Sequence, residues 1–196
     1  DIGKPYGTFI GLEAAASDIS AYEAQIIPGL LQTADYTHAV TRAGSAPDRA
    51  SADDIADRVA IRVRRQKEWI ERRTPHLWAI VTEGALRSLV GGPSVMYEQL
   101  QHVLELSEEQ DMLTLQVLPF ATGAHAAMEI SAFALIDVPN AGLSTVYLEG
   151  PTADIFMDDP QDVTTYRRSF EHLRKAALNS PDSRALITEI VEGLPA

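Results

Sequence analysis

Leu77-Trp78-Ala79-Ile80-Val81 is a short, almost unbroken apolar run, the pattern of a strand buried on both faces. Just before it, Ile55, Val59, Val63 and Ile70 recur at helical spacing, and Pro75 marks the point by which that helix has ended. The change of period between the two stretches predicts a helix packed on a sheet, and hence a mixed fold. Ser51-Ala52-Asp53-Asp54 pairs a hydroxyl with a carboxylate three residues on, the form of a capping box, so a long helix is expected over 52–73. Further upstream, Phe9, Leu12, Ala15 and Ala16 stand at helical spacing, Ile19 to Ile26 passes as an extended segment, and Pro28-Gly29 breaks the chain. Leu30 to Thr33 then leads into a short helix ending near Gly44, and Ser45 to Arg49 read as a loop.

Downstream, a helical turn is expected around Ala85 to Val90, followed by a Gly91-Gly92-Pro93 turn that opens the next amphipathic helix, with Val95, Met96, Leu100, Val103 and Leu104 on its apolar side. Leu113 to Leu118 alternates as a strand should until Pro119. A loop of small residues, Ala121 to Glu129, separates it from Ala132 to Ile136 and Thr145 to Leu148, which form a hairpin across Pro139-Asn140-Ala141-Gly142. Ile155-Phe156-Met157 is a candidate edge strand. Asp159-Pro160 and Ser180-Pro181-Asp182 open two C-terminal helices. The expectation is one α+β or α/β domain over 1–196, with a small mixed sheet of about four to five strands covered by helices.

The 196 residues are 45% hydrophobic and 22% charged, the balance of a globular chain with one substantial core. Twenty-eight acidic residues against 16 basic ones give a net charge of −12, which repels phosphate backbones and makes this chain alone a poor DNA binder. There is no cysteine, so disulfides, thiol nucleophiles, zinc–thiolate sites and iron–sulfur clusters are excluded. No apolar run approaches the roughly 18–20 residues of a spanning helix, and no signal-peptide pattern opens the chain; a cytoplasmic location with no membrane partner is expected.

The positive charge is concentrated. Between Arg58 and Arg73 lie seven basic residues and two acidic ones, with Arg58, Arg62 and Arg65 on one helical face. That face is either solvated and paired with the protein's own surplus acids, or a site for an anion or a carboxylate partner. Glu83 and Glu149 each close a predicted strand; they are either an acid–base pair or partners for arginines of the Arg58–Arg65 face, and the second is preferred. His125 sits in the small-residue loop near Gly123, where binding groups often lie; a plain surface histidine is the preferred alternative. The glycine-rich, nucleophile-elbow and zinc-protease motifs are missing, the five histidines are scattered, and neither a metal, a cofactor nor a catalytic residue is expected.

Leu12-Glu13, Tyr22-Glu23, Ile27-Pro28-Gly29-Leu30-Leu31-Gln32-Thr33 and Tyr36 together resemble the opening of the actinobacterial domain of unknown function 5753. Arg62-Val63-Arg64-Arg65-Gln66 resembles that family's basic segment, Glu83, Leu86, Gly91-Gly92, Met96 and Gln99-Leu100 its middle block, and Gln116 to Phe120, Gly123, His125, Phe133, Tyr147 and Glu149 its strand-rich part. The resemblance implies the C-terminal module of an antitoxin-like transcriptional regulator, following a helix-turn-helix domain and partnered by a small protein of the domain-of-unknown-function 397 class. No helix-turn-helix precedes residue 1 in this sequence, so DNA binding is expected only through a segment outside it, and a homodimer is a further expectation. The expected role is to bind that protein or a ligand and control the attached DNA-binding head. Arg62, Arg65, Gln66, Glu83, Gly123, His125 and Glu149 are the candidate contacts. The alternative is an enzyme acting on a nucleotide or phosphodiester, with Arg62 and Arg65 clamping phosphate and His125 or Glu83 moving protons.

Overall fold

The computed structural model of the chain describes residues 4–44, 51–150 and 153–195. Its α-helices are α1 (Lys4–Ala15), α2 (Ala34–Gly44), α3 (Ala52–Arg72), α4 (Glu83–Arg87), α5 (Pro93–Glu109), α6 (Pro160–Ala176) and α7 (Ser180–Glu192). Its strands are β1 (Asp18–Glu23), β2 (His76–Thr82), β3 (Leu113–Leu118), β4 (Phe133–Val138), β5 (Leu143–Leu148) and β6 (Ile155–Met157). The six lie in one sheet of order β3-β2-β1-β4-β5-β6. The first three run parallel and the last three pair antiparallel from β1 outward. The count exceeds the expected four to five because the extended segment after α1 takes the central place and Ile155–Met157 does pair. The predicted loop at Ser45 to Arg49 lies outside the described residues.

Local chemistry explains the boundaries. Ser51 Oγ accepts from Asp54 N and the Asp54 carboxylate accepts from Ser51 N, closing the capping box that starts α3. Arg73, in the left-handed region at φ 53°, ends it. Pro93 at the first turn opens α5, and Gly142, at φ 60°, closes the turn of the β4–β5 hairpin. β2 carries the near-continuous burial that its apolar run implies, with Ala79 and Ile80 fully enclosed.

Two cores flank the sheet. One face, bearing Ile19, Ala21, Ala79, Val81, Ala134, Ile136 and Tyr147, is covered by α1, α2, α3, α5 and α7. The other, bearing Tyr22, Ile80, Phe133, Leu135 and Val146, is covered by α6 and the loop through Ala127 and Ile130. The β3 edge is closed by the α6–α7 junction: Leu178 N donates to Val117 O, and Val117 N donates to Ser183 Oγ.

Candidate functional site

The Pro28–Thr33 turn is the first fixed point. Leu30 and Leu31 are buried, which takes the backbone around them out of water and obliges it to find partners inside. Side-chain amides supply them. Gln32 Nε2 donates to Ile27 O at 2.6 Å, Gln66 Nε2 to Leu30 O at 2.7 Å and Gln99 Nε2 to Leu31 O at 2.7 Å, while Thr33 N donates to Gln99 Oε1 at 2.7 Å. Ile27 N donates to the Tyr36 hydroxyl, and Arg62 donates to Gln32 Oε1. The Pro28–Thr33 motif that carries the family resemblance is therefore a polar knot binding α2, α3 and α5 to the end of β1. Gln66 is spent in it.

Arg65, the neighbouring candidate, is turned inward as well. Its Nε and Nη2 donate to the two carboxylate oxygens of Glu13 at 2.7 and 2.6 Å, and Nη1 donates to the Tyr6 hydroxyl at 2.6 Å. The guanidinium also lies over the rings of Tyr6 and Phe9, 5.6 and 5.3 Å from their centroids. Burial lowers its pKa, and the Glu13 and Tyr6 interactions outweigh that and hold it above its ordinary value. This bidentate pair, with both side chains about 9% exposed, clasps α1 to α3. Arg62 Nε and Arg65 Nη1 both stand within 4 Å of where a Gly29 side chain would begin, so these two arginines do converge. Arg58 is exposed, outside this junction.

Beneath the arginines the sheet ends in carboxylates. Ile19, Ala21 and Glu23 alternate onto the α3 face of β1, and Thr145, Tyr147 and Glu149 onto the same face of β5 and its continuation. Ala21, Ala134 and Tyr147 form one row across three strands. The next row, one step past the paired residues at the β1–β4 and β5–β6 junctions and two steps past them at β4–β5, is Glu23, Ala132, Glu149 and Asp154. Burial first, and Glu149 second, push the Glu23 carboxyl up to about 8, against the opposing pull of Arg62. Tyr147 is 6% exposed, and its hydroxyl has no hydrogen-bond partner among the described residues. Burial raises its pKa most, followed by the negative field of Glu149 and Asp154. Its ring stacks on Phe9 at 4.4 Å and packs on Phe156 at 5.1 Å.

The other predicted residues lie elsewhere. Contrary to the expectation, Glu83 does not hold an arginine of the Arg58–Arg65 face: its Oε1 accepts from Arg87 Nε at 2.7 Å and its Oε2 from Phe120 N at 2.8 Å, because it sits in the first turn of α4 facing the end of β3. Nor does it pair with Glu149, since β1 and β4 intervene and three strand spacings come to roughly 14 Å. His125 Nδ1 accepts from Ala127 N at 3.3 Å, in a loop that packs on the α6 side of the sheet, opposite the arginines. Gly123, at φ 65°, ends an exposed single turn beside it. Of the expected set, then, Arg62, Arg65 and Glu149 share a neighbourhood, and Glu23, Tyr147, Asp154 and Glu13 complete it. Glu23 was within reach of the reasoning that singled out Glu149, a carboxylate closing a strand, but the segment Ile19–Ile26 did not show where its strand stopped.

Among the described residues no group of three His, Asp or Glu side chains is placed to hold a metal ion, and no helix is long and apolar enough to cross a membrane. No curated protein and no solved structure matches the chain. A family model, described as "Domain of unknown function (DUF5753)", matches residues 6–189. That span takes in the α1 clasp, the glutamine knot and the acidic strand ends alike, and the chain belongs to this family.

Proposed function

We propose that this domain is the effector module of an antitoxin-like transcriptional regulator, of actinobacterial type, working in the cytoplasm. It binds a small protein, of the domain-of-unknown-function 397 class, or a ligand, and passes occupancy to a helix-turn-helix domain attached ahead of it. The observation that carries the reading is the seat of α1. This helix is tied to the body by the Arg65–Glu13–Tyr6 clasp and by Phe9 stacked on Tyr147, immediately above the acidic row. Whatever occupies that row meets the side chains that hold α1. Such coupling requires that the occupant bind the two positions of α1 with different affinity.

The test uses the natural full-length protein. It is recovered from its host with whatever binds it, and its affinity for DNA fragments selected from the host genome is measured with and without the recovered partner. The expected result is one stoichiometric small protein or metabolite that changes DNA affinity at least about fivefold, the lower end of ordinary coupling. That change should be lost in Arg65→Met. A partner that leaves DNA affinity unchanged, or a coupling indifferent to Arg65→Met, would overturn the reading.

An enzyme acting on a nucleotide or phosphodiester is the second reading, favoured by one observation, a Glu23 carboxyl held near neutrality beside Glu149. Against it, the acidic row repels phosphate, and Arg65 has its donors committed to Glu13 and Tyr6.

A further inference from the structure

The acidic row is anomalous as structure. Glu149 and Asp154 stand opposite each other on adjacent strands, and Glu23 lies two strand spacings from Glu149, about 10 Å, across Ala132. Like charges placed directly across a sheet destabilise it. The cation acting on Glu23 is Arg62, which also donates to Gln32. At the other end of the sheet Asp18 also faces Asp137, but there Arg167 of α6 pairs with Asp137 at 2.9 Å, whereas neither Glu149 nor Asp154 has an ion pair among the described residues.

A second feature points into the same place. The Tyr147 hydroxyl is buried and has no hydrogen-bond partner among the described residues, although leaving such a group unsatisfied costs about 1–3 kcal/mol. Asp154 acts on it by charge and by a hydrogen-bonding approach that falls short of normal geometry, and Glu149 by charge alone. A group that donates several hydrogen bonds and carries positive charge would satisfy the hydroxyl oxygen and both carboxylates together.

Building on the effector reading, we propose that Glu149 and Asp154, with the Tyr147 hydroxyl at the base, form a receptor for an alkylammonium group, at the end of the row that Glu23 opens. An alkylammonium has three N–H donors, one for each of the two carboxylates and one for the hydroxyl oxygen. The stacked rings of Phe9, Tyr147 and Phe156 provide an apolar wall for the stem and a face for the cation. The ammonium arrives either on a free amine or on a lysine side chain of a protein partner.

Calorimetric titration of the full-length protein tests this with three probes: 1,5-diaminopentane as a free amine, Nα-acetyl-lysine methylamide as a lysine side chain, and Nα-acetyl-norleucine methylamide, which keeps a stem but lacks the ammonium. At least one of the first two is expected to bind and the third to fail, and the better of the two identifies the source. Glu149→Gln and Asp154→Asn should each weaken binding about tenfold and Tyr147→Phe about threefold. Glu108→Gln, neutralising a remote exposed carboxylate on α5, should change it less than about twofold. Glu149 is exposed, so its replacement leaves the fold intact, which circular dichroism checks. The assignment falls if neither amine binds by about 10 mM, if norleucine binds as well as lysine, or if Glu108→Gln weakens binding as much as Glu149→Gln, the signature of diffuse attraction to a −12 chain. If the amines fail while a coupled partner is still recovered from the host, the ligand chemistry is wrong and the effector role stands. Amine binding without any coupling to DNA affinity gives the converse.

Discussion

Arg65 shows how one buried charge can organise a junction. Removing it leaves the Glu13 carboxylate buried and unpaired, so Arg65→Met is expected to cost about 3–5 kcal/mol, whereas Arg65→Met combined with Glu13→Leu should recover most of that loss. Urea denaturation of the four members of the cycle measures the coupling; equal losses in the single and double variants would show that the pair does not act as a unit. Glu23 makes the opposite contribution. Its folded pKa, about 8, lies above the ordinary 4.5, so between these values the native state holds more protons than the unfolded chain. Stability from this group is therefore full below pH 4.5 and falls as pH rises through 8. Glu23→Gln cannot ionise and should gain on the order of 4 kcal/mol over the parent at pH 8.5 and almost nothing at pH 4. Parallel stability–pH curves for the two proteins would contradict this.

Helices α2 and α5 meet at Gly91, whose φ of 74° and close surroundings leave no room for a side chain. An added Cβ would fall 2.9 Å from Val95 Cγ1 and 3.1 Å from Ala39 Cβ. Gly91→Ala is thus expected to lose about 2 kcal/mol through strain and overpacking together. Gly92→Ala removes a similarly positive φ with open space around it and should lose less. Thermal unfolding of the two variants separates the terms, and an equal loss would show that backbone strain alone decides. The same junction explains why the glutamines matter. Gln99 is fully buried on α5 and holds the Pro28–Thr33 turn by two hydrogen bonds, so its place in an otherwise apolar stripe has a structural cause that helical periodicity does not reveal.

The fold as a unit divides into a well-anchored sheet and a lightly anchored first helix. α1 carries one buried residue among those described, Glu13 at the clasp, and none of its larger apolar side chains is buried, whereas β1, β2 and β4 are enclosed on both faces. Hydrogen exchange of Arg65→Met should therefore accelerate in α1 by about tenfold or more while the amides of β1, β2 and β4 keep their protection. Uniform acceleration would mean that α1 and the sheet open together. The alternation of apolar residues, the capping box and the prolines are local signals, and they were enough for the element order and for a mixed sheet under helices. Strand order was not among them, because pairing joins residues far apart in the chain: β1 lies between β2 and β4 although α2 and α3 separate it from the first. The site was legible only in part for the same reason. An arginine face on α3 follows from helical spacing, but whether Arg65 meets solvent, a partner or Glu13 depends on where α1 lands, 52 residues earlier in the chain. Glu23, Glu149 and Asp154 acquire a shared chemistry only when three strands bring their ends to one side of the sheet, since electrostatics acts across space and not along the chain.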